Sequence, residues 1–117
     1  MPSSEEDVTS APYIAIVLME SSSDSRDYVP LYQENIVLIH ARDEDAARQA
    51  AERRSRQSES SFLNEGGQKI TWRLKTIVDV QEAQDADLTR DADLYSRHFR
   101  DHVSYEKFEP LLSGEEL

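Results

Sequence analysis

The sequence predicts an α+β protein with a mainly antiparallel sheet of about four to five strands. One main helix is expected on one face, together with a short C-terminal helical segment. Two apolar runs rich in β-branched residues, at residues 13–20 and 36–39, are typical of strands covered on both faces. A charged, alanine-rich segment follows the second run. An alternating segment at residues 69–81 follows a glycine pair, which is typical of a hairpin strand.

The first strand is expected at residues 13–20, YIAIVLME. Its apolar side chains point both ways, so both of its faces must be covered and it should be central in the sheet. A polar loop follows at residues 21–27, and Pro30 excludes residues 28–32 from a central strand because proline donates no ladder hydrogen bond. The chain therefore makes a long hairpin to a second strand at residues 36–39, which is also expected to be buried on both faces.

The main helix begins after Asp43, whose side chain suits an N-cap. Glu44 and Asp45 place negative charge in the first turn, where the helix dipole favours it. Positive charge follows in the last turn, at Arg53, Arg54 and Arg56. The predicted buried stripe consists of small residues that let the helix lie close to the sheet: Ala46, Ala47, Ala50 and, as a further candidate, Ala51.

A second hairpin is expected after the helix. Residues 60–64 form a short strand, residues 65–68 (EGGQ) form a glycine turn, and Lys69 begins a long strand to Gln81. At about 3.3 Å per residue this strand spans roughly 40 Å, so it either bends at a bulge or pairs beyond its own sheet. Alternation places Ile77, as the one apolar exception, on the otherwise polar side of this strand. The core-facing side is predicted to consist of Ile70, Trp72, Leu74, Thr76, Val78 and Val80.

The C-terminal third has weaker patterning. Residues 82–93 read as an acidic loop carrying a turn of helix, and residues 94–101 fit a strand or a helix equally well. A helical turn at residues 105–112, stopped before Pro110, would cap the sheet through Tyr105, Phe108, Leu111 and Leu112. Residues 12–112 are thus expected to form one domain between a disordered N-terminal tail, residues 1–11, and a loose C-terminal tail, residues 113–117.

Several local motifs together resemble a known family. They are Y-x-A-x-V-L-x-E at Tyr13, E-x-I-V-L-I-x-A running into D-E-D-A-A-R-x-A, N-x-x-G-x-x-I-x-W, I-V-D-V, and the pair Tyr95-Ser96. This combination is similar to the bacterial domain of unknown function family number 4288, over roughly residues 13–110. The resemblance implies a small bacterial α+β protein. It brings no reaction, ligand or cofactor, because its motifs are packing and turn residues.

Charge narrows the range of partners. Asp and Glu outnumber Lys and Arg by 24 to 13, for a net charge of -11. This balance disfavours nucleic acid and anionic membranes as partners, and it favours a basic protein. In the competing interpretation, the acidity only keeps a small protein soluble. The chain has no cysteine, its first residues do not resemble a secretory signal, and its longest apolar run is too short to span a membrane. We therefore expect a cytoplasmic protein.

Three histidines are the strongest candidates for chemistry. His98 and His102 lie four residues apart, which is metal-ligand spacing on a helix. No glutamate lies between them as in zinc proteases, and His40 is the only other imidazole. His40, close to Asp43, could act as a general base, although a histidine that donates to a helix N-cap is commoner. No nucleophile elbow, phosphate loop or dinucleotide motif is present, so we expect no enzyme, no metal and no cofactor.

Two functions therefore compete. In the first, the protein is a non-enzymatic interaction partner, such as an accessory or immunity protein, that occupies a basic surface. In the second, it is a homo-oligomer that binds a small molecule between subunits. The candidate residues for lining this site, or for a partner surface, are Tyr13, Trp72, Tyr95, His40 and His98.

A homodimer is expected from a count of sheet faces. Two strands are apolar on both faces, while one alanine-faced helix covers only one of them. A second copy would cover the other face. In the competing interpretation, residues 94–112 cover that face and the protein is a monomer.

Overall fold

An antiparallel sheet of four strands and two helices form the described part of the chain. The computed structural model describes residues 10–85 and 87–109. In chain order, its elements are β1 (Ala11–Ser23), β2 (Tyr32–Ala41), α1 (Glu44–Gln57), β3 (Ser60–Leu63), β4 (Lys69–Glu82) and α2 (His102–Phe108). The strands lie in the order β2-β1-β4-β3. The predicted mixed class and antiparallel sheet are confirmed.

Strand β1 lies in the interior of the sheet, as predicted, and pairs with a strand on each side. Tyr13 lies opposite Ile39 of β2 and opposite Glu82 of β4. The strand begins at Ala11 and ends at Ser23, so it extends beyond the predicted residues 13–20 at both ends. Its apolar side chains need partners on both faces, and only an interior strand has neighbours that build both faces.

The main core lies between the sheet and α1. Alternate residues of β1, beginning with Tyr13 and including Ala15 and Val17, pack against α1 together with Ile39 and Val80. Ala15 and Ala47 of α1 are both fully buried. Two alanines meeting in this way let the helix backbone lie close to the sheet, because neither side chain extends beyond Cβ.

Helix α1 has the ends that the sequence predicts. The Asp43 side chain accepts a hydrogen bond of 2.8 Å from the backbone N–H of Ala46, which satisfies one of the free donors of the first turn. The buried positions are Ala47, Ala51 and Ser55, each four residues after the last. The predicted stripe is correct at Ala47 and Ala51, and Ala50 is half-buried against the same core. The prediction missed Ser55, whose hydroxyl donates to the Ala51 carbonyl at 2.8 Å.

The prediction that residues 36–39 are buried on both faces is wrong. Strand β2 is an edge strand, and only its helix-facing side enters the core, at Ile39 and Val37. Ile36 is 69% exposed and Leu38 is 45% exposed. A short apolar run looks the same in an interior and an edge strand, so its composition could not show that one face lacks a cover.

The pairing of strand β4 with β1 is irregular at two places, which agrees with the predicted alternative of a bulge. Its pairing with β1 shifts register between Ile16 and Val17 and again between Leu18 and Met19. An extra residue in one strand moves all following side chains to the opposite face. The predicted alternation therefore fails over residues 76–78. The shift between Ile16 and Val17 restores it, so Val80 packs against the α1 core as predicted. Ile77 packs against the α1 core, whereas Val78 is exposed.

Thr76 is displaced in the same way, since it pairs with Leu18 on the side away from α1. Trp72, by contrast, is half-buried and packs against the α1 core with Leu74.

The β3–β4 turn is the predicted glycine turn. Gly67 adopts φ 80°, a left-handed backbone conformation that favours glycine, and its N–H donates to the Asn64 carbonyl at 3.0 Å.

The C-terminal third differs from its prediction in three places. Asp87 supports a hydrogen-bonded turn by accepting from Thr89 at 3.1 Å, and no helix occurs among the described residues between 82 and 93. Residues 94–101 are neither strand nor helix. Helix α2 begins at His102 and ends at Phe108, before the predicted residues 110–112, which lie outside the described part together with residues 1–9 and 113–117. Neither described helix is long and apolar enough to cross a membrane.

The tight contact between α1 and the sheet predicts a low tolerance for larger side chains. Replacing Ala47 or Ala51 by Leu should overpack the interface and lower the free energy of unfolding by about 1 to 3 kcal/mol. Gln49→Leu, on the exposed side of the same helix, is the matched control and should change it by less than about 0.5 kcal/mol. Urea unfolding, followed by the fluorescence of Trp72, measures the free energy of unfolding of all three variants. An equal loss in the Gln49 variant and in the alanine variants would contradict close packing of α1 on the sheet.

Candidate functional site

The predicted site residues lie on different surfaces of the sheet. Tyr13 is buried in the core beneath α1, and Trp72 packs at the border of the same core. Tyr95 lies on the side of the sheet away from α1. We call this side, which carries Ile14, Ile16 and Asp79, the open face. The structure therefore does not bring the three predicted aromatic residues together in one pocket.

The predicted histidines are also dispersed. His40 is exposed near the end of β2, and among the described residues it forms no hydrogen bond with Asp43, which caps α1 instead. His98 lies in the irregular segment, while His102 is the first residue of α2, so the two do not have the helical spacing of a metal pair. Across residues 10–85 and 87–109, no group of three or more metal-binding side chains is arranged to hold an ion.

The open face is partly covered by the C-terminal segment of the chain. Ile14 and Ile16, the β1 residues on this face, are only 2% and 4% exposed. The segment is attached to the end of β4, because the N–H of Gln84 donates to the Leu94 carbonyl at 3.3 Å and Ser96 donates to the Gln84 side chain at 3.3 Å. This arrangement carries Tyr95 back over the sheet.

Tyr95 and Asp79 form the central polar contact of the open face. The Tyr95 hydroxyl donates a hydrogen bond to the Asp79 carboxylate. The same carboxylate accepts from the Val80 N–H at 2.9 Å and from the Gln81 side chain at 3.0 Å. Asp79 lies opposite Ile16, so this contact fixes the C-terminal segment above the middle of the sheet.

This contact shifts the pKa of both partners in opposite directions. The hydrogen bond from Tyr95 is the main cause that lowers the pKa of Asp79, and those from Gln81 and Val80 add to it against the effect of burial. Burial and then the hydrogen bond with Asp79 raise the pKa of Tyr95 to about 12. Both shifts stabilise the ionised carboxylate beside a neutral phenol.

Beyond Tyr95, the segment brings aromatic side chains to the open face. Asp101 caps α2 by accepting from the N–H of Ser104 at 3.0 Å and from its hydroxyl at 2.7 Å. This orients Tyr105 so that its ring stacks on Phe99, with centroids 4.6 Å apart and planes 18° apart. The rings remain accessible, since Phe99 is 56% exposed and Phe108 is 70% exposed.

A concave site lies between this aromatic wall and the sheet. We call it the aromatic cleft, and its volume is about 540 Å³. Its floor is formed by Val78 and Glu34 of the open face. Its wall and rim consist of Arg97, His98, Phe99, Asp101, Ser104, Tyr105, Phe108 and Glu109. Of the predicted candidates, only His98 lines this cleft.

A second concave surface runs along the free edge of β2. This edge groove has a volume of about 680 Å³. One side is formed by residues 34–37 of β2, and the other by the C-terminal end of α1, with Arg54, Ser55, Gln57 and Ser58. The Arg54 side chain forms no ion pair or hydrogen bond with the described part of the chain.

Sequence reasoning missed most of these site residues. Phe99 and Phe108 lie in the segment that the sequence predicts to cover the sheet, and they are exposed instead. For Asp79, alternation predicts only a position on the side of β4 away from the core. One signal was available. Asp79 lies within the apolar end of β4, and a lone carboxylate at such a position needs hydrogen-bond donors.

Comparison with known proteins adds one match. The sequence model of a family described as a domain of unknown function (DUF4288) matches residues 12–96. The matched part contains α1 and the whole sheet except Ala11. It ends at Ser96, whereas Phe99 and α2 lie beyond it. No curated protein and no solved structure matches the chain.

The Tyr95–Asp79 contact predicts a defined loss of stability on removal of the hydroxyl. Tyr95→Phe should lower the free energy of unfolding by about 1 to 3 kcal/mol at pH 7, because a hydrogen bond to a carboxylate is lost and Asp79 remains charged. Tyr32→Phe is the matched control. It removes an exposed hydroxyl that donates to Glu20 at 2.8 Å, and it should lower the free energy of unfolding much less than Tyr95→Phe does, because solvent screens an exposed contact.

The loss of stability caused by Tyr95→Phe should also depend on pH. The lowered pKa of Asp79 stabilises the fold above the ordinary value of 3.8 and stops doing so as pH falls through the lowered value. The raised pKa of Tyr95 stabilises the fold below 10.0, and this contribution disappears between 10.0 and about 12. Urea unfolding of wild type and Tyr95→Phe should therefore differ most between these limits. A difference independent of pH would refute the charge-assisted contact.

Proposed function

The chain belongs to the DUF4288 family, and from its exposed aromatic wall we propose that it is a non-enzymatic protein-interaction module. In this proposal the aromatic cleft is the binding surface for a basic protein partner. The partner inserts apolar side chains between the open face and the wall formed by Phe99, Tyr105 and Phe108. The residues that match the family form the sheet and α1, and the segment after Ser96 forms the wall.

The exposure of the aromatic wall is the observation that carries this proposal. Phe99 and Phe108 expose more than half of their surface beside a concave site. Val78 at the floor and Ile36 of β2, on the far side of β1, add exposed apolar surface. Aromatic residues in a pocket with a polar rim are the usual centre of a protein interface, since burying them there contributes most of the binding free energy.

Charge supports a basic partner. Three carboxylates line the cleft, at Glu34, Asp101 and Glu109, against the guanidinium of Arg97. The whole chain carries a net charge of -11, so a basic protein would be attracted before contact. Attraction of this kind raises the association rate and weakens as salt screens the charges.

A small-molecule ligand is the second candidate, favoured by the size and lining of the same cleft. A volume of about 540 Å³ lies within the range of ligand pockets. Arg97 and His98 lie beside the aromatic rings, so the chemistry suits an aromatic ligand with an acidic group. In a homo-oligomer, a neighbouring subunit would close the open side of this pocket.

Site-specific photocrosslinking tests the interaction proposal in the native host. A benzophenone amino acid in place of Phe108 should crosslink one protein rich in Lys and Arg, and raising the salt from about 0.1 to 0.5 M before irradiation should reduce the yield severalfold. The same probe in place of Gln49, on the exposed side of α1, is the matched control. Equal products from both positions would contradict a binding surface at the cleft.

Native mass spectrometry of the purified protein separates the two candidates. A small molecule bound in a fixed ratio and released by Phe99→Ser would favour the ligand function. A protein crosslink from position 108 without any bound small molecule favours the interaction module. Phe99 is largely exposed, so its replacement should leave the fold intact, and circular dichroism checks this.

A further inference from the structure

The outer edge of β2 is an unprotected sheet edge. Strand β2 pairs with β1 on one side, and no strand pairs with its other side among the described residues. The strand is ten residues long, contains neither lysine nor proline, and pairs with β1 without a bulge. Monomeric proteins usually protect an edge by one of these devices. The opposite edge of this sheet has such protection: β3 has only four residues, and β4 beyond Trp72, which β3 does not pair, contains Lys75 and two register shifts.

The hydrogen bonds with β1 show which backbone groups of β2 point outward. The N–H of Ser21 donates to the Leu31 carbonyl at 2.9 Å, and paired residues then alternate along the strand. The odd-numbered residues of β2 therefore bond to β1. The outward N–H and C=O groups belong to Tyr32, Glu34, Ile36, Leu38 and His40.

The same edge is poor in charge although the protein is acidic. Glu34 is the only carboxylate between Tyr28 and Ala41. Ile36 and Leu38, beside the outward backbone groups, are 69% and 45% exposed. A chain of net charge -11 repels its copies over most of its surface, and this strip is where two copies approach each other with least repulsion.

We propose that a second copy of this chain occupies the edge, with the two β2 strands paired antiparallel about a two-fold axis perpendicular to the sheet. The result is one continuous sheet of eight strands. Backbone groups pair only when the outward residues of one strand face those of the other. Pairing must therefore join even-numbered to even-numbered residues, which leaves two registers that overlap over nine residues.

Side-chain chemistry selects between the two registers. In one, Ile36 faces the partner's Ile36, and Glu34 faces the apolar side chain of the partner's Leu38. In the other, Val37 faces the partner's Val37, Ile36 faces the partner's Leu38, and Glu34 faces the partner's His40. Cross-strand pairs of matching chemistry stabilise a sheet, so the second register is the one we assign.

The charges on α1 complement this arrangement. The two-fold axis places both α1 helices on the same face of the joined sheet and in opposite directions. Arg54 lies beside residues 34–37, which pair in the assigned register with residues 37–40 of the partner. The partner's α1 begins just beyond, at the acidic turn with the partner's Asp43, Glu44 and Asp45. Arg54, which has no ion pair in the described part of one chain, therefore faces negative charge.

This surface and the aromatic cleft are tested independently. The cleft proposal concerns the wall built by Phe99, Tyr105 and Phe108, whereas the edge proposal concerns the backbone of β2 and Arg54. In the dimer the two clefts lie on one face of the joined sheet, opposite both α1 helices. A bivalent partner would bind such a pair more tightly than a single cleft.

Cysteine crosslinking of the full chain tests the edge and its register together. The protein has no cysteine, so each introduced thiol is unique. Val37→Cys should form a disulfide-linked dimer under mild oxidation, because the two Cα atoms would lie about 4.5 Å apart in a non-hydrogen-bonded pair. Ile36→Cys should not, since its partner thiol is offset along the strand. Gln49→Cys, on the exposed side of α1, is the control for random collision.

Light scattering gives the second readout. Wild-type protein at tens of micromolar should have twice the chain mass of 13.4 kDa. Leu38→Lys, at a side chain already partly exposed, should weaken association on the order of tenfold or more while leaving the circular dichroism spectrum unchanged. A wild-type mass of 13.4 kDa overturns the dimer. Crosslinking at position 36 but not at position 37 overturns the assigned register.

Discussion

The need to cover both faces of β1 governs the architecture of this protein. Ile14 and Ile16 point to one side, while Tyr13, Ala15 and Val17 point to the other, and all five are buried. The two covers differ in kind. Helix α1 covers one face with small side chains at Ala47 and Ala51. An irregular segment covers the other face, and hydrogen bonds of Tyr95 to Asp79 and of Leu94 and Ser96 with Gln84 hold it there. Without either cover, β1 would expose a continuous apolar surface.

The bulges of β4 determine which of its side chains contact each cover. Each register shift turns the following side chains to the opposite face. Between them, Ile77 enters the core beneath α1. After them, Asp79 reaches the open face, where Tyr95 binds it. The irregular strand thus supplies an apolar group to one cover and the polar anchor of the other, which a strand with regular alternation could not do from these positions.

Incomplete coverage leaves two surfaces available for binding. The C-terminal segment stops short of Ile36 and Leu38, and its own rings at Phe99 and Phe108 remain exposed. The free edge of β2 borders the same region. We interpret the cleft as the site for another protein and the edge as the site for a second copy, because aromatic pockets suit side-chain insertion and strand edges suit backbone pairing.

The sequence by itself determined the local elements, because their signals are local. The N-cap at Asp43, the glycine turn at Gly67 and the apolar strand β1 were all predictable from neighbouring residues. The tertiary structure alone decided the faces that residues 76–78 of β4 occupy and the edge position of β2. Bulges depend on pairing with another strand, and coverage depends on a segment distant in sequence. For the same reason only the folded chain joins Tyr95 to Asp79, sixteen residues apart, since periodicity carries no information about which distant donor a carboxylate will meet.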